Sequence, residues 1–262
     1  MQTMIATACI LGLAASCASA GDGPRVRERS GEKQGPLLLG DDMAAALVNF
    51  VRGAEAGGAP QGLSLDEVAP PSEADWALPE PPPVQDHDAW VFVPPMPRGC
   101  RNAADGTGEA SVEAGEHRGE FALDLRAGAG EYAWGVASPC MTFTPERDGV
   151  VRCRTAVVVR GTVEAAGELD QTGAYLGAWI AHCHPKDRGS YSERVGWSSE
   201  GMIGAVRFDG YVLMHEATFP VQAGVEHLFG AGLSAACAAR DGKAGMKLWG
   251  RPAYLTVEMV GE

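Results

Sequence analysis

The sequence predicts an all-β protein, an antiparallel β-sandwich or jelly roll, reached through a leader, one short helix and a proline-rich strap. Three observations predict it. Apolar residues recur with a period of two over most of the chain after Pro97. Glycine-rich turns separate those runs, and no run of ten residues after Pro97 keeps a clean helical period. Twelve of the 17 prolines lie at or before Pro97, so the front third differs in kind from the rest. Alternation of this sort marks strands with one buried face, and short strands at regular spacing mark sandwiches and jelly rolls.

The elements follow in order. Met4 to Ala15 is an uncharged apolar run, too short for a stable bilayer span. Ala18-Ser19-Ala20 follows it as a cleavage pattern, so residues 1–20 read as a secretory signal, although Met1-Gln2-Thr3 carries no Lys or Arg. The stretch Leu13-Ala14-Ala15-Ser16-Cys17 also resembles a bacterial lipoprotein box, which implies lipidation of Cys17 and a signal ending before it. Either reading exports the chain to the periplasm, the cell surface or the medium. The only membrane contact expected of the mature chain is such a lipid anchor, with no transmembrane span.

Residues 21–98 read as a disordered, proline-rich tether. Asp41-Asp42 followed by Met43, Leu47, Phe50 and Val51 predicts one short acid-capped helix near 41–52. Pro70-Pro71 and Pro79 to Pro83 exclude helix and central strand there. Trp76 and Trp90 in this stretch predict that part of it packs on the domain, with Trp90 to Val93 as a first strand.

Residues 99–262 form the predicted sandwich. Phe121, Leu123 and Leu125 alternate, as do Tyr132, Trp134 and Val136, and the odd-numbered residues from Val151 to Val159. Further strands are expected over Leu176 to Cys183, Met202 to Phe208, Tyr211 to Phe219, Val225 to Cys237 and Ala253 to Val260, with turns at Ala127 to Gly130 and at Asp209-Gly210. Of seven cysteines, Cys9 and Cys17 belong to the leader. Cys100, Cys140, Cys153, Cys183 and Cys237 remain, enough for up to two disulfides in an oxidising compartment.

Charge narrows the partners. The net charge is -13 with no dense Lys/Arg cluster, which argues against nucleic acid and against anionic membranes. No nucleophile elbow, P-loop or dinucleotide fingerprint is present, so catalysis is not the expected function.

Two constellations remain. His182 and His184 are two apart on a strand whose same face carries Leu176, Ala178 and Ile180, so both imidazoles point one way. His215 and His227 follow on later strands. His182-Cys183-His184 resembles the H-x-H element of the cupins, and Pro220 to His227 is similar to their P-x-G-x-x-H segment through Gly224 and His227. That resemblance implies a small jelly roll holding a divalent metal on His182, His184 and His227, with Glu193 or His215 as a fourth ligand. The second constellation is aromatic: Tyr175, Trp179, Tyr191 and Trp197 crowd a short span, and exposed rings stack on sugar faces. Tyr175 and Trp179 share the strand face opposite His182. The reading that follows is an exported, non-catalytic module binding a cell-surface glycan or protein, with a metal-binding or metal-dependent cupin-like protein as the alternative.

Overall fold

The computed structural model describes residues 65, 68–84, 89–92, 100–114, 119–166, 172–184, 190–199, 204–239 and 242–260. The leader, Cys17, the helix expected near 41–52, His87 and His117 lie outside the described residues. Among the described residues no helix is long and apolar enough to cross a membrane.

Among the described residues eleven strands carry the fold: β1 (Ala89–Phe92), β2 (Cys100–Gly106), β3 (Glu109–Ala114), β4 (Phe121–Ala127), β5 (Glu131–Phe143), β6 (Gly149–Ala166), β7 (Thr172–Cys183), β8 (Ser190–Ser198), β9 (Gly204–Val221), β10 (His227–Ala239) and β11 (Lys243–Val260). They form two sheets. Sheet I has the order β3-β4-β11-β6-β9, with β1 also paired to β11; sheet II has the order β2-β5-β10-β7-β8. Every pairing is antiparallel.

The pairings nest. β4 pairs β11, β5 pairs β10, β6 pairs β9 and β7 pairs β8. The eight strands are thus one long antiparallel ribbon, wrapped so that β11 meets β6 and β10 meets β7. Such wrapping makes a jelly roll, and it leaves β3 and β9 at the edges of sheet I and β2 and β8 at those of sheet II. The expected fold class is the one observed.

Alternation fills the space between the sheets. β4 buries every second residue, and Leu123, Leu125, Val157, Val159, Leu176, Leu233, Met246 and Leu248 meet in one cluster. A second cluster toward the other end holds Met141, Val151, Ile180, Phe219, Phe229 and Leu255.

Two expectations change, and β5 takes a facing that alternation left open. The Asp209-Gly210 turn is a bulge inside the single strand β9: Asp209 pairs Arg160 and Tyr211 pairs Val159, leaving Gly210 as the extra residue at φ 84°. Glycine takes that conformation at little steric cost, so the strand bends without ending. In β5 the side facing sheet I is Ala133 and Ala137, whereas Tyr132, Trp134 and Val136 gather on the outside. The expected disulfides are not formed, since Cys140, Cys153, Cys183 and Cys237 are all thiols. Cys153 and Cys237 sit in separate core clusters. Cys140 and Cys183 lie on β5 and β7 with β10 between them. Two strand spacings put about 9.5 Å between such backbones, beyond disulfide reach. Burial pushes the Cys237 thiol up to about 12, so it behaves as a small apolar side chain.

The strap docks on the outer face of sheet I. A 3-10 turn over Glu73–Asp75 is closed by Ser72, whose amide and hydroxyl both donate to Asp75 Oδ2 at 2.7 Å. Arg251 holds Glu73 at 3.1 Å, Arg160 donates to the Asp75 carbonyl, and Leu78 packs on Ala156, Ala253 and Tyr254.

Candidate ligand face and histidine cluster

Sheet II has a second face, turned away from sheet I. Trp134, Val136, Trp179 and Ala236 form a separate apolar cluster on it, with Tyr132, Tyr175 and Ala181 packed alongside. All come from β5, β7 and β10. Period-two alternation dictates this placement: β7 sends Leu176, Ala178 and Ile180 inward, so Tyr175, Trp179 and Ala181 must point out. Trp179 stacks on Tyr191 of β8, with centroids 4.5 Å apart and planes 18° apart. Trp179 is 1% exposed and Tyr191 is 39% exposed, so the outer ring of the stack meets solvent.

The floor of this face is hollowed by glycines. Register places Gly232 beside Trp179, Gly230 beside Ala181, and Gly177 beside Ser234. A Cβ at Gly177 would lie 2.8 Å from both Glu193 Oε1 and Ser234 Oγ, and one at Gly230 would collide with Ser138 Oγ. The missing side chains therefore make room for polar groups beneath the rings. Ser234 Oγ donates to Glu193 Oε1, and the same hydroxyl lies 3.2 Å from Gly177 O. Burial raises the Glu193 carboxyl above its usual range, and the Ser234 bond opposes that only in part.

Of the four aromatic residues singled out, Tyr175, Trp179 and Tyr191 share this face, and Trp197 does not. Leu176 pairs Trp197 while Gly177 pairs Val195, so Gly196 is an extra residue in β8. The bulge turns Trp197 into the core, where it meets Phe208 edge-on at 5.1 Å. Without that bulge, Trp197 would share the parity of Tyr191 and Glu193. Trp134, Tyr132, Ser138 and Ser234 join the face unforeseen. Their signal was present in the alternation of β5 and β10, but alternation does not say which set faces the core.

The histidines are split. His182, at the end of β7, and His227, at the start of β10, face inward beside Phe219 and Phe229. His182 Nε2 and His227 Nδ1 are 2.9 Å apart, and the His184 ring centroid is 5.1 Å from that of His227. The Gln222 amide donates to His227 Nε2 at 3.1 Å. A neutral His227 therefore carries its proton on Nδ1 and donates it to His182 Nε2. His182 then keeps its own proton on Nδ1, 3.4 Å from Ser190 Oγ. One backbone amide fixes both tautomers. Burial, then the neighbouring His227 and His184, hold His182 down to about 4; burial likewise lowers His227.

His215 and Glu193 stand apart from this cluster. His215 Nε2 lies 2.8 Å from Ser192 Oγ, between the edge strands β9 and β8. Glu193 lies on the outer face of sheet II. Among the described residues no three His, Cys, Asp or Glu side chains are arranged to hold one metal ion. The four-ligand centre implied by the cupin resemblance does not fit these residues. Its carboxylate points to the other side of the sheet, and both ring nitrogens of His227 are already in hydrogen bonds.

No family model and no curated protein matches the chain. Several solved structures match part of the chain. The enzymatically active domain of bacteriophage CBA120 tailspike protein 4 is 9% identical at a TM-score of 0.26, over 61% of this chain and 19% of its own. This chain thus spans about a fifth of that one. TmCBM61, solved with β-1,4-galactotriose, is 14% identical at a TM-score of 0.23, covering 62% of this chain and 88% of its own. A carbohydrate-binding module of the β-sandwich superfamily is 10% identical at 0.25, covering 63% and 58%. At such scores the likenesses carry no argument about function.

Proposed function

We propose that this protein is a non-catalytic binding module, exported from the cell, that takes a glycan on the outer face of sheet II. One observation carries the reading. Tyr132, Trp134, Tyr175, Trp179 and Tyr191 gather on a sheet face that is not the sandwich core. Large aromatics normally supply core burial. Here the core between the sheets is filled mainly by aliphatic residues and phenylalanines, with Trp197 and Tyr211 packed against it, whereas Tyr132, Tyr175, Tyr191, Trp134 and Trp179 gather outside it. Trp134 and Trp179 are buried beneath, and the half-buried Tyr132 and Tyr175 with the exposed Tyr191 offer apolar ring surface with polar groups nearby, which suits the C–H faces and hydroxyls of a pyranose. The signal segment and proline-rich strap read from the sequence agree with work outside the cytoplasm.

The test is retention on immobilised polysaccharides. Wild type is expected to be held by at least one matrix, and the Tyr175→Ala/Tyr191→Ala double variant to be released from it. Equal retention of both proteins, or retention of neither, would remove the reading. Trp197→Ala is unsuitable here, because that ring belongs to the core.

A further inference from the structure

We infer that Ser138 and Trp179 form a hydroxyl-reading subsite on the outer face of sheet II, completed by the hydroxyl oxygens of a bound sugar. The inference rests on the glycan-binding reading and goes further by naming the atoms that recognise the ligand.

Two polar atoms on that face have no hydrogen-bond partner among the described residues: Ser138 Oγ and Trp179 Nε1. Ser138 is 4% exposed and Trp179 is 1% exposed. Buried polar groups are almost always paired, so an orphan calls for a cause. These two are linked by register. Gly230 and Gly232 lie on β10, between Ser138 of β5 and Trp179 of β7. The strand that separates them therefore raises no side chain there, and Ser138 Oγ leans into the space over Gly230. Neighbouring polar groups on the same face do find each other, since Ser234 is bonded to Glu193. The sheet thus satisfies one polar pair and leaves the adjacent one open.

The chemistry of the open pair is specific. The indole N–H can only donate, and the serine hydroxyl both donates and accepts. Together they suit sugar hydroxyls, which do both. They supply no charge of their own. The atoms are shielded from solvent, and Tyr191 lies 4.5 Å over Trp179 from the edge strand β8. For a sugar to reach the indole N–H, Tyr191 has to turn aside.

The experiment uses the full chain in affinity electrophoresis through gels containing xylan, galactan, mannan or mixed-linkage glucan, beside thermal melts. Trp179→Phe keeps an aromatic ring but removes the N–H together with part of the ring volume; Ser138→Ala removes only the hydroxyl. On the polysaccharide that retards wild type, each variant is expected to bind about fivefold to tenfold more weakly, the loss of one hydrogen bond. The melting temperature of Ser138→Ala should equal or exceed that of wild type, because it removes an unpaired polar group, whereas that of Trp179→Phe should fall, because the smaller ring leaves a cavity at a buried site. Wild-type affinity in both variants would overturn the subsite. The glycan reading would stand in that case if Tyr175→Ala/Tyr191→Ala still lost retention. Should Trp179→Phe fail to fold, Ser138→Ala decides alone. A lowered Ser138→Ala melt with unchanged binding in both variants would assign both atoms to a structural water network and overturn the subsite. No retardation of wild type in any gel would sink the subsite and the reading together.

Discussion

Glu258 is 5% exposed on the outer side of sheet I, yet it is a carboxylate. Arg152 reaches it at 3.2 Å and Arg154 at 3.9 Å, while Arg154 also holds Glu216 at 2.6 Å. Removing the negative charge leaves two cations facing a partner that cannot answer them. Glu258→Gln should therefore cost about 1–3 kcal/mol in urea denaturation, below the full range for deeply buried pairs because both arginines retain solvent. The histidine relay makes a pH prediction with a definite sign. His182 has a folded pKa near 4 against an ordinary 6.5, so between those values the unfolded chain binds more protons. Stability must then fall as pH drops from 6.5 toward 4. The melting temperature should decline across that window, and His182→Gln should flatten the decline. A flat wild-type profile would show that the imidazole is not held neutral. Dialysis against a chelator should leave the melt at neutral pH unmoved, and a chelator-sensitive melt would restore the metal alternative. The sequence disclosed that His182 and His184 share a face, because period two fixes parity within a strand. It did not disclose that His227 meets His182 while His215 and Glu193 go elsewhere, because that depends on which strands pair.

At the scale of elements, two extra residues decide what β8 and β9 present. Gly210 lets β9 continue through what the sequence marks as a turn, and Gly196 reverses the parity of β8 beyond it. One strand thereby serves both faces: Tyr191 outside on Trp179, Trp197 inside on Phe208. The two rings should respond differently to truncation. Trp197→Ala removes core packing and should cost about 2–4 kcal/mol, whereas Tyr191→Ala should cost under about 1 kcal/mol. Equal losses in chemical denaturation would contradict the assigned faces. Bulges are hard to read in sequence because a glycine in a strand run marks a turn as often as a bulge. β5 is hard to read for another reason. Its large residues, Tyr132, Trp134 and Val136, alternate with Ala133, Gly135 and Ala137, and size suggests that the larger set is the core. The core takes the small set instead, and the large set lies on the face proposed for the ligand. β2 and β3 left almost no apolar pattern to read, as CRNAADG and EASVEA show.

For the whole molecule, the nested ribbon gives the two sheets unequal outer faces. That of sheet I carries the strap, through Leu78 on Ala156, Ala253 and Tyr254 and through the Arg160 and Arg251 contacts to the turn at Glu73–Asp75. That of sheet II carries the aromatic rings. Stability and recognition should therefore separate across the sandwich. A chain beginning at residue 88 keeps β1 but loses the strap, and so exposes apolar surface on sheet I and takes one partner from each of two arginines, leaving Arg160 with Asp209 and Arg251 with Glu120. Compared with one beginning at residue 64, it should lose about 1–3 kcal/mol in urea denaturation, from apolar area returned to water and broken ion pairs. Its retention on the polysaccharide that holds the longer chain should not change, because the strap contacts named above are all on the other sheet. If affinity fell together with stability, the strap would be acting through the core on the aromatic face, and the two sides of the sandwich could not be treated as independent.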